Sequence, residues 1–281
     1  MVQLHKYSGA GNTFVVLDGR REDVSAYRTP ECISALCKEY GTDGLMILTD
    51  DTACDFRMEF FNPDGSGGMM CGNGGRCIVA FADALGLKPR DGRVFRFIAG
   101  DGPHTGEILN DKDCHLERSR EILRQAQDDR QDGCKTVRLR MIDVHEFRPE
   151  LDGWFVDTGT RHFVRFVPDV EAVDIEVEGP RLRWDPVFAP VGANANFVSV
   201  DPDGVLHVRT FEKGVEGETL ACGTGITASA IAAFLSHSGL DPESQYYEIQ
   251  ARIARLSVEF VPGDGCFTDV YLTGPAEEIF A

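Results

Sequence analysis

Long apolar runs, an excess of positive charge and a flexible linker are all missing from this chain. None of its 281 residues falls in a stretch approaching the roughly 18 consecutive apolar residues of a membrane span, so a membrane partner is not expected. Lysine and arginine number 28 against 46 acidic residues, a formal charge of −18. Binding a polyanion needs a basic face, so nucleic acid is not an expected partner either. The opening residues Met1-Val2-Gln3-Leu4-His5-Lys6-Tyr7 lack the basic segment and apolar stretch of a secretory signal, and a cytoplasmic location is expected. No Pro-, Gly- or Ser-rich segment divides the chain, although its length suffices for two domains, each with a core of its own.

Cysteine is present in an odd number, nine. In a cytoplasmic chain thiols are more often buried, catalytic or metal-bound than disulfide-linked. Two of them share a context. Cys71-Gly72-Asn73-Gly74-Gly75-Arg76-Cys77 and Ala221-Cys222-Gly223-Thr224-Gly225 each set a cysteine before Gly-x-Gly and an apolar run with helical spacing. Each thiol is therefore expected at the mouth of a helix. Residues Ile78, Phe81, Ala82 and Leu85 form a one-sided stripe after the first, and Ile226, Ala230, Ala233 and Phe234 after the second.

The remaining chain reads as α+β. Gly9-Ala10-Gly11-Asn12 is a turn feeding the buried strand Phe14–Asp18, with a plain Gly-rich hairpin as the alternative to a substrate contact. Thr29-Pro30-Glu31 opens a helix with Ile33, Leu36 and Cys37 on one face, and Cys32 and Cys37 read as structural thiols. Strands are expected at 45–48, 56–61, 94–99, 107–109 and 137–141, then at 154–157, 163–167, within 249–260, and at 270–274. Residues 111–134, rich in charge and glutamine, read as an insertion at the tip of the hairpin that 107–109 and 137–141 form. Cys114, His115 and Cys134 within it match no zinc spacing, and no metal is expected.

An internal echo suggests duplication. Gly192–Asp201 can be laid on Gly9–Asp18, and Phe61-Asn62 precedes Cys71 at nearly the distance that Phe211-Glu212 precedes Cys222. The boundaries that follow are an N-terminal domain of 1–145, a C-terminal domain of 146–266 and a closing strand, 267–281, returning to the first domain.

The chemistry of two cysteines at helix N-termini is specific. Unpaired N–H groups and the positive dipole end bind an anion such as a carboxylate, and the same field favours thiolate over thiol. A thiolate base and a thiol acid on opposite faces of an α-carbon would remove one proton and return another, inverting the centre. The reaction class is cofactor-independent racemisation or epimerisation of an amino acid. The plainer reading, two buried helix-start thiols with no chemistry, is weakened by their repetition in matched surroundings. A cysteine hydrolase needs a dedicated histidine, for which only His162 is placed. A zinc module built on Cys71 and Cys77 lacks a second pair, and the Gly-rich turns do not form a strand-Gly-x-Gly-x-x-Gly-helix unit for a dinucleotide.

Gly11-Asn12-Thr13-Phe14, Asn62-Pro63-Asp64-Gly65-Ser66, the two cysteine motifs, Asn194 and Glu212-Lys213-Gly214 together resemble the diaminopimelate epimerase family, in order from residue 6 to about 274 apart from the insertion. The resemblance implies two pseudo-symmetric domains from an internal duplication, each a mixed or antiparallel sheet wrapped around a central helix. It implies pyridoxal-independent interconversion of LL- and meso-diaminopimelate on the lysine and peptidoglycan route. On it, Cys71 and Cys222 are the acid/base pair, and Gly72, Asn73, Gly223 and Thr224 donate to the reacting carboxylate. Glu212 and His162 hold the reacting amino group and orient the thiols, while Asn12, Asn62, Asn194 and Lys213 read the distal end. Thr160 joins the substrate contacts. The expected partner is this small molecule, no cofactor is implied, and assembly as a homodimer is left open. The chain departs from the family pattern at Lys213, where many members have Arg, and at Thr160-Arg161-His162, where many have Asn or Ser followed by Pro-His. The rival within the same chemistry is a two-cysteine proline or hydroxyproline epimerase, which reads no distal end; the rival outside it is a binding protein that keeps the fold.

Overall fold

The computed structural model describes residues 2–68, 70–109, 134–237 and 245–279. The chain forms two compact units, 1–139 with 274–281 and 140–273. Most of the inserted segment, Cys114 and His115 included, lies outside the described residues.

In the first unit, β1 (His5–Gly9) and β2 (Asn12–Asp18) form a hairpin about Ala10 and Gly11, with φ of 57° and 97°. Positive φ at both central residues matches the twist of the flanking strands. The expected helix is α1 (Pro30–Tyr40), with the Thr29 side chain accepting from the Cys32 N–H at its start and Gly41 left-handed at its end. Its buried face carries Ile33 and Cys37 against Val15, Leu17, Leu45 and Ile47. The strands continue as β3 (Leu45–Thr49), β4 (Phe56–Phe61), β5 (Val94–Ala99), β6 (Gly102–Leu109) and β7 (Lys135–Arg140), with Glu107 opposite Arg138 as the insertion reading requires. The long final strand β16 (Cys266–Glu278) lies next to β7 and pairs with β1 through Tyr7↔Glu278 and Ser8↔Glu277, so the sheet closes.

The helix following Cys71, α2 (Gly72–Ala84), differs from the one-sided stripe read from its spacing. Every residue from Gly72 to Ala82 is buried, because a sheet that closes on itself leaves its helix no solvent side. Glycine makes this possible at the crowded end. A Cβ on Gly9 would fall 2.7 Å from the Asn73 carbonyl oxygen and 2.9 Å from Cys77 Sγ, so the hairpin lies directly on α2. Cys77 is fully buried, and burial pushes its thiol far up, as suits a packing residue.

The second unit repeats the pattern with β8 (Glu146–Glu150), β9 (Gly153–Asp157), β10 (Arg161–Phe166), β11 (Asn194–Val200), β12 (Leu206–Glu212), the short β13 (Gly217–Thr219), β14 (Gln245–Gln250) and β15 (Arg255–Gly263), followed by β16. An isolated bridge between Val144 and Phe267 returns the segment before β8 to β16. Its enclosed helix, α4 (Gly223–His237), carries buried Ile226, Ala230, Ala233 and Phe234. A shorter helix, α3 (Ile175–Arg183), interrupted by Pro180, had no periodic signal in the sequence. Its acidic residues stand in the first turn and its arginines in the last, which complements the helix dipole. No helix among the described residues is long and apolar enough to cross a membrane.

Strand pairing corrects the alignment of the two copies. Along the first unit the pairings of β1 to β7 run antiparallel, parallel, antiparallel, parallel, antiparallel, antiparallel. The same series runs from β9 through β10, β11, β12, β14 and β15 to β16. The counterpart of β2 is therefore β10, and β11 corresponds to β3. The likeness of Gly192–Asp201 to Gly9–Asp18 reflects two buried strands of similar composition in different places. The other half of the echo stands, because β4 ends at Phe61 before Cys71 and β12 ends at Glu212 before Cys222.

Candidate active site

Both motif cysteines occupy the residue before a helix. The Cys71 carbonyl accepts from the Gly75 N–H at 2.8 Å and the Cys222 carbonyl from the Ile226 N–H at 2.8 Å, the first intrahelical bond of α2 and α4 respectively. Cys71 has the extended backbone of an N-cap, φ −108° and ψ 153°, and its Sγ takes the place of the usual capping oxygen, accepting from the Gly74 N–H at 3.2 Å. A hydrogen bond from a helix-end N–H stabilises negative charge on the sulfur.

In the first unit a buried network joins the hairpin to this helix end. Asn73 Nδ2 donates to Asn12 Oδ1 at 2.6 Å, and Asn73 Oδ1 accepts from Arg76 Nη2 at 2.9 Å. Arg76 also donates to the Gly72 carbonyl at 3.1 Å and to the Pro275 carbonyl at 3.3 Å. It is the largest fully buried side chain among the described residues, and burial pulls its guanidinium down to about 10. Arg76 lies within the Cys71–Cys77 motif, and its signal in the sequence is that it is the one charge between Gly72 and Ala82. Asn62 stands beyond β4, where Nδ2 donates to Ser66 Oγ at 3.0 Å within the Asn62–Ser66 turn.

In the second unit His162, on β10, is fully buried, and burial lowers it to about 3, so the ring is neutral. Its Nε2 lies 3.0 Å from Thr224 Oγ1, which in turn lies 3.4 Å from Cys222 Sγ. Asn196 Nδ2 lies 3.1 Å from His162 Nδ1. The Thr224 carbonyl accepts from Thr158 Oγ1 at 3.1 Å. Asn194 Oδ1 accepts from the Lys213 backbone N–H at 2.7 Å, which fixes Asn194 beside the end of β12. Glu212 ends that strand half-buried, and Lys213 is exposed.

The turn at Thr160 is held by three bonds. The Gly159 N–H donates to Asp157 Oδ1 at 2.9 Å, the Thr158 N–H to the Thr160 carbonyl at 3.1 Å, and Arg161 Nη1 to the Phe188 carbonyl at 3.1 Å. The structure thus gathers Asn12, Gly72 and Asn73 about Cys71, and His162, Thr224, Gly223 and Asn194 about Cys222. Asn196, part of the Gly192–Asp201 stretch but given no site role there, sits in the second group.

A mixed sheet around a central helix that starts directly after a cysteine therefore occurs in both units. A crystal structure of a hydroxyproline epimerase from Agrobacterium vitis with bound trans-4-hydroxy-L-proline shares this fold at a TM-score of 0.61, 15% identity, and coverage of 99% of this chain and 91% of that one. The family model for diaminopimelate epimerase matches residues 4–105 and 154–275. Diaminopimelate epimerases from Flavobacterium psychrophilum (35% identical, covering 99% of this chain and 98% of the relative) and Chlorobaculum tepidum (34%, 97% and 97%) align with nearly the whole sequence. The chain belongs to the diaminopimelate epimerase family and is an isomerase.

Proposed function

We propose that this protein interconverts LL- and meso-2,6-diaminopimelate by two-base chemistry, with Cys71 and Cys222 as the pair, in the cytoplasm and on the route to lysine and peptidoglycan precursors. The observation that carries the reading is the placement of both cysteines at helix N-termini, each within a polar group matched to one sulfur. The thiolate takes the α-hydrogen as a proton, and its electron pair stays on the α-carbon and spreads into the carboxylate. N–H groups of Gly72, Asn73, Gly223 and Thr224 bind that carboxylate and stabilise the charge that develops on it. The second cysteine, as thiol, delivers its proton to the opposite face and is left as thiolate. The two sulfurs have then exchanged protonation states, and the enzyme is ready for the reverse direction.

Glu212 holds the reacting ammonium, and His162, neutral and enclosed, acts on Cys222 through Thr224. Asn12, Asn62, Asn194 and Lys213 read the distal amino-acid end, with Thr160 beside them. A lysine supplies a point charge where an arginine supplies a fork, so Lys213 grips the distal carboxylate with less directional constraint.

Incubation with LL-diaminopimelate in deuterated water is expected to yield the meso isomer with deuterium at the inverted centre, while L-proline and hydroxyproline stay unchanged. Turnover of proline without turnover of diaminopimelate would overturn the substrate assignment and favour the two-cysteine proline or hydroxyproline epimerase reading.

A further inference from the structure

Asn196, on β11, is fully buried, and its neighbours determine which way its amide faces. The Phe163 carbonyl oxygen can only accept, so the amide atom 3.0 Å from it is Nδ2. The other amide atom, Oδ1, accepts from Thr210 Oγ1 at 2.9 Å. Nδ2 carries two hydrogens, one directed at Phe163 and one at His162 Nδ1, 3.1 Å away. A donor aimed at Nδ1 requires a lone pair there. In a neutral imidazole the ring hydrogen then sits on Nε2.

That hydrogen faces Thr224 Oγ1 at 3.0 Å, so the hydroxyl oxygen accepts from histidine and has its own hydrogen left for Cys222 Sγ at 3.4 Å. The start of α4 is pressed against this chain of bonds. A Cβ on Gly225 would lie 2.5 Å from Asn196 Oδ1 and 3.2 Å from His162 Cε1, so glycine is needed there for the three groups to stay in register. The Asn194 amide, whose Nδ2 is 3.4 Å from His162 Nε2, cannot donate to a nitrogen that already bears hydrogen.

We propose that Asn196 is a positioning residue: it locks His162 in the Nε2–H tautomer, which turns the Thr224 hydroxyl into a hydrogen-bond donor to Cys222 and holds that sulfur ready as the base. The proposal rests on the reading of Cys222 as an acid/base group. Reversing the tautomer would leave Nε2 with a lone pair, the Thr224 hydrogen would turn to histidine, and Cys222 would lose the donor that Thr224 supplies.

Protein labelled with 15N-histidine, with the His162 signals assigned by their loss in His162→Gln, is expected to show an unprotonated Nδ1 and a protonated Nε2. A protonated Nδ1 would overturn the proposal without reference to any variant. Asn196→Asp replaces the donor by an acceptor of the same shape. It should reverse the two ring signals and lower kcat roughly tenfold, the scale of one hydrogen bond to a charged group, with little change in KM. Thr224→Val should lower kcat to the same degree and Thr224→Ser should retain most of it, which decides the matter if Asn196→Asp does not fold. Reversed ring signals with an unchanged kcat, or Thr224→Val as active as Thr224→Ser, would also overturn it. The ring spectrum does not depend on turnover, so a wrong tautomer and a wrong role for Cys222 register separately.

Discussion

Cys71→Ala and Cys222→Ala are each expected to lower the interconversion of LL- and meso-diaminopimelate by about 10²- to 10⁴-fold, the usual contribution of one general acid or base. The two losses should resemble one another, because inversion needs both a base on one face and an acid on the other. The variants should differ in what survives. With one sulfur removed, the other still abstracts and returns a proton on its own face, so slow α-hydrogen exchange should persist for one diastereomer in one variant and for the other diastereomer in the second. Neither substitution should unfold the protein. Cys71 is half-buried, and its loss as N-cap removes one bond to the Gly74 N–H, worth about 1 kcal/mol. Near-normal epimerisation by either variant, measured by chiral separation of the isomers, would refute the paired role.

The second large effect concerns Arg76. Its guanidinium holds the Gly72 carbonyl, Asn73 Oδ1 and the Pro275 carbonyl, and its stem fills space inside the closed sheet of the first unit. Arg76→Ala should cost about 3–5 kcal/mol, the range for emptying a large buried site, and chemical denaturation would measure it. Arg76→Met restores most of the volume and removes a desolvated charge, so it should cost less. Both variants should lose activity beyond their loss of stability, because Asn73 Oδ1 loses the bond from Arg76 that helps to orient the Asn73 amide toward Asn12. A change under about 1 kcal/mol for Arg76→Ala would show that the site collapses around the gap and that the network is not a structural requirement.

Strands β2 to β7 and the three longer helices were legible because each carries a local signal, whereas β1, β8, β12 and β13 carried none that was read. β3 and β4 are bounded by polar turns, α1 has its threonine cap and left-handed glycine, and α2 and α4 follow Cys-Gly-x-Gly. α3 was not legible because Gly179 and Pro180 interrupt its pattern; Gly179 is there because a Cβ would lie 2.5 Å from the Phe211 ring, a demand made by a strand distant in sequence. The repeat was aligned correctly around the cysteines and incorrectly around the first turn. A Gly-Ala…Phe-Val pattern records burial in a sheet and does not say which strand of the sheet is meant. For the same reason the neighbours of His162 cannot be read from the residues around it. Its role is set by Asn196 and Thr224, and β10 meets those residues only through the parallel pairing with β11 and the packing of α4.

The distribution of solvent deuterium in the first moments of reaction tests the paired-cysteine mechanism most directly. With LL-diaminopimelate in deuterated water, two bases predict that the meso product carries deuterium at the inverted centre from the outset while unreacted LL substrate remains unlabelled, because the proton taken by one sulfur is not the one delivered by the other. Meso product that retains the original hydrogen, or LL and meso pools that gain deuterium at equal rates, would mean that a single base serves both faces and would contradict the roles given to Cys71 and Cys222.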